Sequence, residues 1–461
     1  MRITWGVLCL LLAIPITAGA HAEIFFPKLF SAAELPNAGF VFLNPDPTIA
    51  TVNVYLISRT GSPVASPPSF TIAPGGQASR LGSELFPNAS GAGWVYVIND
   101  TEGMQAFWLN YDADLTFLDG SDAAQYETIG ADQIVALVAG QAELNIINPN
   151  FAKLTLTIRL FGSDGELAPA FTTDLPIAGA FQASVSTMFP SADMSQARYI
   201  RIRSATLPIA STILIHGFLV ATDNVAMNGQ NVGSQTDLTF AHVVSGPLGG
   251  ANYTSVVGIT NPGNSAQTIT ATFTPDGGNP ITVTRTVAAN GALRETAQNL
   301  FGLSSTFQNG WVRVSGTAPI SGFLAYADTI GGGVAAVPAG AAQSKLFFSH
   351  IADGPPQWQT GIAILNAGAT AAPIDLFAVT PSGTLIGTAH LNLDPGQKLV
   401  NVIHEWIPET RGVNGGFVYM RTTNNVPVYG VELFYTQDLK IVSSVAAANL
   451  KGGVSYTPPS Q

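Results

Sequence analysis

Residues 361–366 read Gly-Ile-Ala-Ile-Leu-Asn, an apolar stretch that ends in asparagine, and three earlier stretches end in the same way. The four asparagines are Asn44, Asn148, Asn261 and Asn366, and they are separated by 104, 113 and 105 residues. Proline follows the first three. Proline cannot donate to a β-ladder and asparagine tolerates turn geometry, so each site marks the end of a strand. The spacing predicts four copies of one structural unit.

Further anchors recur in fixed order after each asparagine. They comprise a turn glycine, an aromatic or isoleucine beside proline or glycine, a bulky aromatic that opens a strand, and an aspartate after a strand. In chain order these residues are Gly61, Phe86, Trp94 and Asp112; Gly165, Phe189, Tyr199 and Asp223; Gly277, Phe301, Trp311 and Asp328; and Gly383, Ile407, Phe417 and Asp438. We interpret Trp94 and Trp311 as fillers of a core between two sheets.

Between the anchors, hydrophobicity has a period of two. Leu154, Leu156 and Ile158 alternate with Thr155 and Thr157, for example. Such alternation is typical of antiparallel strands with one buried and one solvated face. About seven such strands in about 105 residues, with frequent turn signals, indicate an immunoglobulin-like sandwich. The predicted fold is therefore all-β: four tandem immunoglobulin-like antiparallel β-sandwich domains after a signal peptide.

The predicted domain boundaries lie in small, polar segments. The domains are expected at residues 23–125, 126–233, 234–342 and 343–450, with a C-terminal tail at 451–461. Placed end to end, four such domains would reach about 150 Å.

An alternative fold divides each copy in two, because Gly39-Phe40-Val41-Phe42 resembles Gly93-Trp94-Val95-Tyr96. Eight half-copies of about 52 residues would suit an eight-bladed propeller. The half-copies share only this strand, however, so the sandwich is the preferred interpretation.

The N-terminus predicts export. Arg2 precedes an apolar run over residues 7–14, and Ala20-His21-Ala22 forms a small-x-small cleavage site. A signal peptide at 1–22, cleaved after Ala22, would place the protein in the extracellular space or the periplasm. The single cysteine, Cys9, lies in this run, so the mature chain has no thiol. No later apolar segment is long enough to insert the mature chain in a membrane.

The composition excludes a nucleic-acid partner. The 461 residues include 18 Lys and Arg against 29 Asp and Glu, which gives a formal charge of −11. This is the wrong sign for binding phosphates. Hydrophobic residues reach 46%, so the chain can bury a core and is not expected to be disordered.

A candidate calcium site is the acidic cluster of Asp112, Asp114, Asp119 and Asp122, because closely spaced carboxylates beside glycine can ligate Ca²⁺. The order does not match an EF-hand loop, and a solvated acidic linker is the alternative. No other cofactor is predicted. Neither a zinc spacing of histidines nor a Gly-x-Ser-x-Gly elbow occurs, so the protein is not expected to be an enzyme.

Exposed aromatic rings offer a second candidate site. Trp358 lies in a proline-rich loop before a strand, and Tyr253 has a comparable place in the third copy. Rings in such positions can stack on a sugar or pack against a neighbouring domain.

The segments Phe348 to Gly354, Gly361 to Asn366, Asp394 to Gln397 and Gly416 to Tyr419 resemble tandem immunoglobulin-like repeats in secreted bacterial proteins of uncharacterised function. The resemblance covers all four copies and carries no site. It implies a bacterial, extracytoplasmic, non-catalytic protein.

The leading hypothesis is thus a secreted or cell-surface spacer or adhesin, with polysaccharide or other surface proteins as partners. A carbohydrate-binding protein using loop aromatics is the first alternative. The second is a hydrolase with a site at a domain junction or in an eight-bladed propeller.

Overall fold

The protein is all-β in the computed structural model, which describes residues 22–65, 68–112, 114, 116–136, 140–220, 223–233, 235–354, 358–448 and 456–459. Its strands pair antiparallel in several sheets, as the alternating pattern predicts. The predicted signal peptide, apart from Ala22, lies outside these residues. Within the same ranges, no helix has the length and apolar character needed to cross a bilayer.

The strands follow the sequence repeat. Those of the first copy are β1 Ala22–Phe30, β2 Ala38–Leu43, β3 Ala50–Ile57, β4 Ser69–Ile72, β5 Gln77–Leu81, β6 Gly93–Asn99, β7 Gln105–Tyr111, β8 Leu118–Asp122 and β9 Ala124–Gln125. Those of the second are β10 Asp132–Val135, β11 Gln141–Ile147, β12 Leu154–Phe161, β13 Phe171–Leu175, β14 Ala180–Ser184, β15 Tyr199–Ser204, β16 Ala210–His216, β17 Asn224–Asn228 and β18 Gln230–Asn231.

The second half of the chain repeats the series. The third copy contains β19 Asp237–Leu248, β20 Ala251–Thr260, β21 Gln267–Pro275, β22 Ile281–Val287, β23 Ala292–Thr296, β24 Gln308–Gly316, β25 Ser321–Asp328 and β26 Val334–Pro338. The fourth contains β27 Lys345–Phe348, β28 Trp358–Leu365, β29 Ala372–Val379, β30 Leu385–Leu393, β31 Lys398–Val402, β32 Phe417–Thr422, β33 Tyr429–Thr436 and β34 Val442–Ala446.

Short helices connect some of these strands. The α-helices are α1 Gly82–Leu85, α2 Val185–Met188, α3 Ala297–Phe301 and α4 Ile403–Trp406, and the 3₁₀ helices are Leu35–Asn37, Met194–Gln196 and Pro408–Thr410.

The strand order is the same in every copy. In the first copy the two sheets run β4-β3-β6-β1-β9 and β5-β2-β7-β8, and in the second they run β13-β12-β15-β10-β18 and β14-β11-β16-β17. The third and fourth copies repeat this order, with β19 and β20 joined in a hairpin. In an immunoglobulin constant domain the first strand shares a sheet with the second, fifth and fourth. Here the first strand pairs with the sixth instead.

Both sheets of a copy share one apolar core. Val52, Val54 and Leu56 of β3 are buried, whereas the residues between them are half exposed. They join one cluster with Phe26 of β1 and Phe40 of β2, which belong to opposite sheets. The period-two pattern therefore predicted the buried face of these strands correctly.

The recurring asparagines end strands, as predicted, and also hold two loops together. Strands β2, β11, β20 and β28 each end one residue before an asparagine. Asn44 is fully buried, and its Nδ2 donates to the carbonyl oxygens of Thr48 at 2.8 Å and Ala73 at 3.1 Å. The other three asparagines bond in the same way. Each amide thus joins the loop after its strand to the turn before the fifth strand.

Trp94 and Trp311 are buried, but the expectation that they fill the core between two sheets is wrong. In β6, Val95 and Val97 point into the core of the first copy, so Trp94 points outward. It packs in a separate cluster with Ile147 and Ala180 of the second copy. Trp311 likewise packs against Leu365 of the fourth copy. These rings therefore join neighbouring copies.

The joints between successive copies use one repeated hydrogen bond. The aromatic anchor of a copy donates to a backbone carbonyl in the turn before the fifth strand of the next copy. The pairs are Trp94 Nε1 to Ala178 at 3.1 Å, Tyr199 Oη to Asn290 at 3.0 Å and Trp311 Nε1 to Gly396 at 3.1 Å. The accepting residues all have positive φ angles, of 49°, 50° and 76°.

The fourth copy packs against the first in the same manner. Gln77 N, at the start of β5, donates to Pro381 O at 2.9 Å, and Ala180 N, in the matching position, donates to Arg59 O at 3.0 Å. The Gln77 side chain adds bonds from its Nε2 to Ser349 O at 2.6 Å and from Gly416 N to its Oε1 at 2.8 Å. Leu43 joins an apolar cluster of the fourth copy. The four copies therefore close into a ring.

A residue of the C-terminal tail completes this closing joint. Phe417, the aromatic anchor of the fourth copy, has no polar group to donate. Tyr456 lies beside it, with ring centroids 5.8 Å apart, and is only 6% exposed. A Cβ added to Gly75 would lie 3.1 Å from the Tyr456 ring, so the tail occupies the turn that receives the aromatic anchor elsewhere.

The eighth strands line the axis of the ring. Strand β17 packs against β8 and β26, and β34 packs against the same two strands. Asn228 Nδ2 donates to Asp122 O at 2.6 Å, and Ser444 Oγ donates to Ala336 O at 3.0 Å. The remaining cavity of about 10 Å³ has room for about one water molecule.

The ring differs from both sequence-based expectations of overall shape. Because the first and fourth copies are in contact, the chain does not form an extended array about 150 Å long. The eight-bladed propeller is also wrong, because the two sheets of each copy share one core and each copy places a single described strand on the axis.

Candidate ligand-binding cleft between the first and second copies

The predicted calcium ligands are spread over two environments. Asp112 and Asp114 lie in the exposed loop between β7 and β8, where Asp112 accepts hydrogen bonds from Thr116. Asp119 is buried within β8, and Asp122 lies three residues further along, on the opposite face of the strand. In the described part of the chain, no three His, Cys, Asp or Glu side chains are grouped to hold a metal ion.

Trp358 and Tyr253 do not share one surface. Trp358 begins β28, is half buried, and stands opposite Thr436 of β33. Tyr435 precedes Thr436 in β33, so its side chain points to the face of the sheet opposite that of Trp358. The half-buried Tyr253 lies near Tyr435. The ring of Tyr253 also packs edge-on against Phe307 at 6.1 Å. The two rings therefore do not form a joint platform for a sugar.

A larger cavity lies at a different place, between the first and second copies. Its volume is about 750 Å³, within the range of roughly 300–1,000 Å³ typical of ligand pockets. We call it the junction cleft. Its polar lining comes from the first copy through Lys28, Glu34, Asn110 and Asp119, and from the second through Glu143, Gln182, Ser184, His216 and Asn224.

An ion pair between a buried lysine and a half-buried glutamate forms one side of the junction cleft. The pairing register of β1 shifts between Phe26 and Phe30, and Lys28 lies within this irregularity. Lys28 is 2% exposed, and its Nζ lies 2.6 Å from Glu34 Oε1. Burial acts to raise the pKa of Glu34, but the Lys28 ammonium and hydrogen bonds from Ser31 hold it below its ordinary value. Glu34 therefore stays ionised and neutralises Lys28.

Asn110 and Asp119 form the floor beside this pair. They stand opposite each other on β7 and β8, and each is 7% exposed. The Oδ1 atom of each side chain has no hydrogen-bond partner in the protein. Burial raises the pKa of Asp119 to about 7, an effect that Glu34 reinforces and that Lys28 and Asn110 oppose. Two buried acceptor oxygens without a hydrogen-bond partner in the protein therefore lie at the floor of the cleft.

The wall from the second copy is already hydrogen-bonded. Glu143 Oε1 accepts from Gln182 Nε2 at 2.7 Å and from Asn145 Nδ2 at 3.2 Å. His216 Nδ1 lies 3.1 Å from Asn224 Oδ1. These bonds fix the side chains of the wall before any ligand arrives.

The two copies are also tied together at the cleft. The backbone amide of Leu29 donates to Asn145 Oδ1 at 3.1 Å, so β1 of the first copy is joined to β11 of the second. This bond lies next to Lys28, which lines the cleft.

The charge of the junction cleft is unfavourable for anions. Among its described lining residues, Lys28 is the single Lys or Arg side chain, and Glu34 neutralises it. The carboxyl groups of Asp119 and Glu143 add only neutral or negative charge. The charge of the lining therefore favours a neutral or cationic ligand.

Sequence reasoning named Asp119 as a metal ligand and missed its neighbours. Lys28 was the available signal, since it is a lysine within the apolar run from Ile24 to Phe30. Asn110 carried no signal of its own, because its position opposite Asp119 depends on the register between β7 and β8.

Comparisons with known proteins give weak structural neighbours only. No family model matches the chain, and no curated protein matches it. A protein of Thermotoga maritima, number 1070, is 15% identical over 23% of this chain and 92% of its own, with a TM-score of 0.20.

Two similar structures come from adhesion proteins. A structure concerning host cell surface retention of a bacterial ice-binding adhesin is 13% identical, covers 68% of this chain and 93% of its own, and has a TM-score of 0.12. A tetra-tandem repeat from the extending region of a large adhesion protein is 13% identical, covers 94% and 99%, and has a TM-score of 0.10. Both are weak structural neighbours of this chain.

Proposed function

We propose that the protein is a non-catalytic, adhesin-like recognition module that acts outside the cytoplasm. In this proposal, four β-sandwich domains with the predicted boundaries close into a rigid ring, and the junction cleft receives the ligand. The observation that supports it is the cleft itself, a preformed cavity of about 750 Å³ whose floor has two unpaired acceptors. A closed ring does not suit the spacer role that a linear array would have.

The ring gives such a module rigidity. The joints between copies use buried aromatic rings and repeated hydrogen bonds to carbonyl oxygens, and the closing joint adds the Gln77 side chain and Tyr456. A site formed between two domains keeps its shape only if the domains cannot move apart. Closure fixes the first and second copies from both sides.

A retention assay tests this proposal. Fluorescently labelled mature chain, residues 23–461, is incubated with insoluble cellulose, chitin and xylan and with intact bacterial cells. We expect saturable retention on at least one of these surfaces and no release of new reducing ends from the polysaccharides. A heat-unfolded sample of the same chain serves as the control for non-specific retention.

Two outcomes would contradict the proposal. Retention equal to that of the unfolded control on every surface would exclude recognition. Release of reducing ends by the folded chain would show that the protein is catalytic, and the hydrolase alternative would replace the proposal.

A further inference from the structure

We propose that the junction cleft recognises a neutral saccharide, whose hydroxyl groups donate hydrogen bonds to Asn110 and Asp119. This inference rests on the proposed function, because it names the ligand of the same cleft. Both residues line the cavity, and both are more than nine-tenths buried. A buried acceptor without a partner destabilises the protein, so a ligand that donates to it is favoured.

The fold does not require polar residues at these two positions. The repeat places other residues at the same points of the seventh and eighth strands in the remaining copies, as the pairing registers show. The pairs equivalent to Asn110 and Asp119 are Ile215 and Val225, Tyr326 and Ala335, and Phe434 and Ser443. The second copy therefore holds the same structure with two apolar side chains. Strand pairing therefore does not account for the polar pair of the first copy, and a ligand in the cleft would account for it.

Among the described residues, two of the matching joints in the ring are filled by protein. Phe26, Phe240 and Phe348 occupy equivalent positions in the first strand of their copies, because each pairs with the valine that follows the aromatic anchor. The residues two positions later are therefore also equivalent, and these are Lys28, His242 and His350. Lys398 of the fourth copy reaches His242, with Nζ 3.3 Å from Nδ1.

At the closing joint, His350 lies between the rings of Phe107 and Phe434, with centroid distances of 6.0 and 5.7 Å. Among the described residues, no side chain of the second copy contacts Lys28 in this way, and the space beside it is the cleft.

The remaining lining suits a sugar. Phe117, Leu214 and Ala142 provide an apolar surface for the C–H faces of a sugar ring, and Gln182 and Ser184 provide further polar groups. A neutral ligand matches a cleft in which Lys28 is neutralised by Glu34. Phosphates and acidic polysaccharides would meet the carboxyl groups of Asp119 and Glu143 and are excluded.

The test uses the mature chain and a double variant that copies the residues of the second repeat. Asn110→Ile with Asp119→Val places at the cleft the residues that the second copy already accommodates, so the variant is expected to fold. Cellotetraose, xylotetraose, mannotetraose and chitotetraose are titrated calorimetrically into both proteins. We expect the wild-type chain to bind at least one of them, and the double variant to bind it about tenfold or more weakly.

A control variant removes a polar group at the equivalent position of the fourth copy. Ser443→Val, which is equivalent to Asp119→Val, lies outside the cleft and should leave the Kd unchanged. An equal Kd for the wild type and the folded double variant would overturn the inference, as would the absence of any titration heat for the wild type at millimolar saccharide.

The retention assay separates failure of this inference from failure of the proposed function. If the wild type is retained on a surface and the double variant is retained equally, the cleft is not the saccharide site, and recognition lies elsewhere. If neither protein is retained on any surface, the proposed function fails with it.

Discussion

At the residue scale, equivalent positions of the four copies can be compared, and a residue type that differs in one copy indicates a role specific to that copy. Asn110 and Asp119 could be judged as out of place only because Ile215 and Val225 occupy the same positions in the second copy. A similar comparison relates Lys28 to His242 and His350. Each of these side chains faces the joint to the following copy, and His242 and His350 meet side chains of that copy there.

Asp119 predicts a pH dependence of stability. Its pKa is raised to about 7 by burial, against about 3.9 in an unfolded chain, so the folded state retains a proton that the unfolded state releases. This stabilisation is complete below about pH 4 and is lost as the pH rises through about 7. The groups around Asp119 are Lys28, Glu34 and Asn110.

The test compares the wild type with Asp119→Asn by chemical denaturation between pH 4 and pH 8. The wild type should lose up to about 4 kcal/mol more unfolding free energy over this range than the variant, which has no proton to lose. Parallel pH profiles for the two proteins would show that Asp119 ionises normally in the folded state.

At the scale of strands and turns, the sequence specifies each sheet more completely than the joints between copies. Period-two alternation located the buried faces of β3, β12 and β21, because burial on one face leaves a local pattern. The same alternation in the sequence also indicates that Trp94 points to the face of the sheet opposite that of Val95 and Val97. Its acceptor, Ala178, was not, because it lies 84 residues away in a turn whose position depends on docking.

In the turn before the fifth strand of the third copy, a larger side chain is expected to clash with the preceding copy. A Cβ added to Gly291 would lie 2.2 Å from the carbonyl oxygen of Ser163 in the preceding copy. Gly291→Ala must therefore push the second and third copies apart, and we expect a loss of about 1–3 kcal/mol in unfolding free energy.

Gly277→Ala provides the matched control for this substitution. It lies in the β21–β22 turn of the same copy, and no atom lies within 4 Å of the added Cβ. Denaturant unfolding should show a change of at most about 0.5 kcal/mol for the control. Equal effects of the two substitutions would mean that the joint at Gly291 is not formed in solution.

At the scale of the whole molecule, closure could not be predicted from the sequence. Each copy carries the same anchors, and identical joints can produce either an open array or a ring. The outcome depends on the rotation at each joint, which the spacing of anchors does not encode. No feature of the sequence indicates that a residue of the C-terminal tail takes part in closure, although Tyr456 packs against the turn at Gly75 and against Phe417.

The junction cleft depends on this closure. Gln77 and Tyr456 lie at the joint between the fourth and first copies. They hold the first copy at its joint to the fourth copy, whereas the cleft lies at its joint to the second copy. If the ring opened, the first copy would keep only its joint to the second copy, which includes the hydrogen bonds of Trp94, Leu29 and Asn228. The shape of the cleft is therefore a property of the ring and not of the first two copies alone.

Small-angle X-ray scattering of residues 23–461 tests the ring most directly. A closed, compact arrangement of this length predicts a radius of gyration of about 22 Å. Four domains in an extended line, about 150 Å long, would give roughly twice that value. A radius near 22 Å at low concentration would support the ring, and a value near twice that would contradict it.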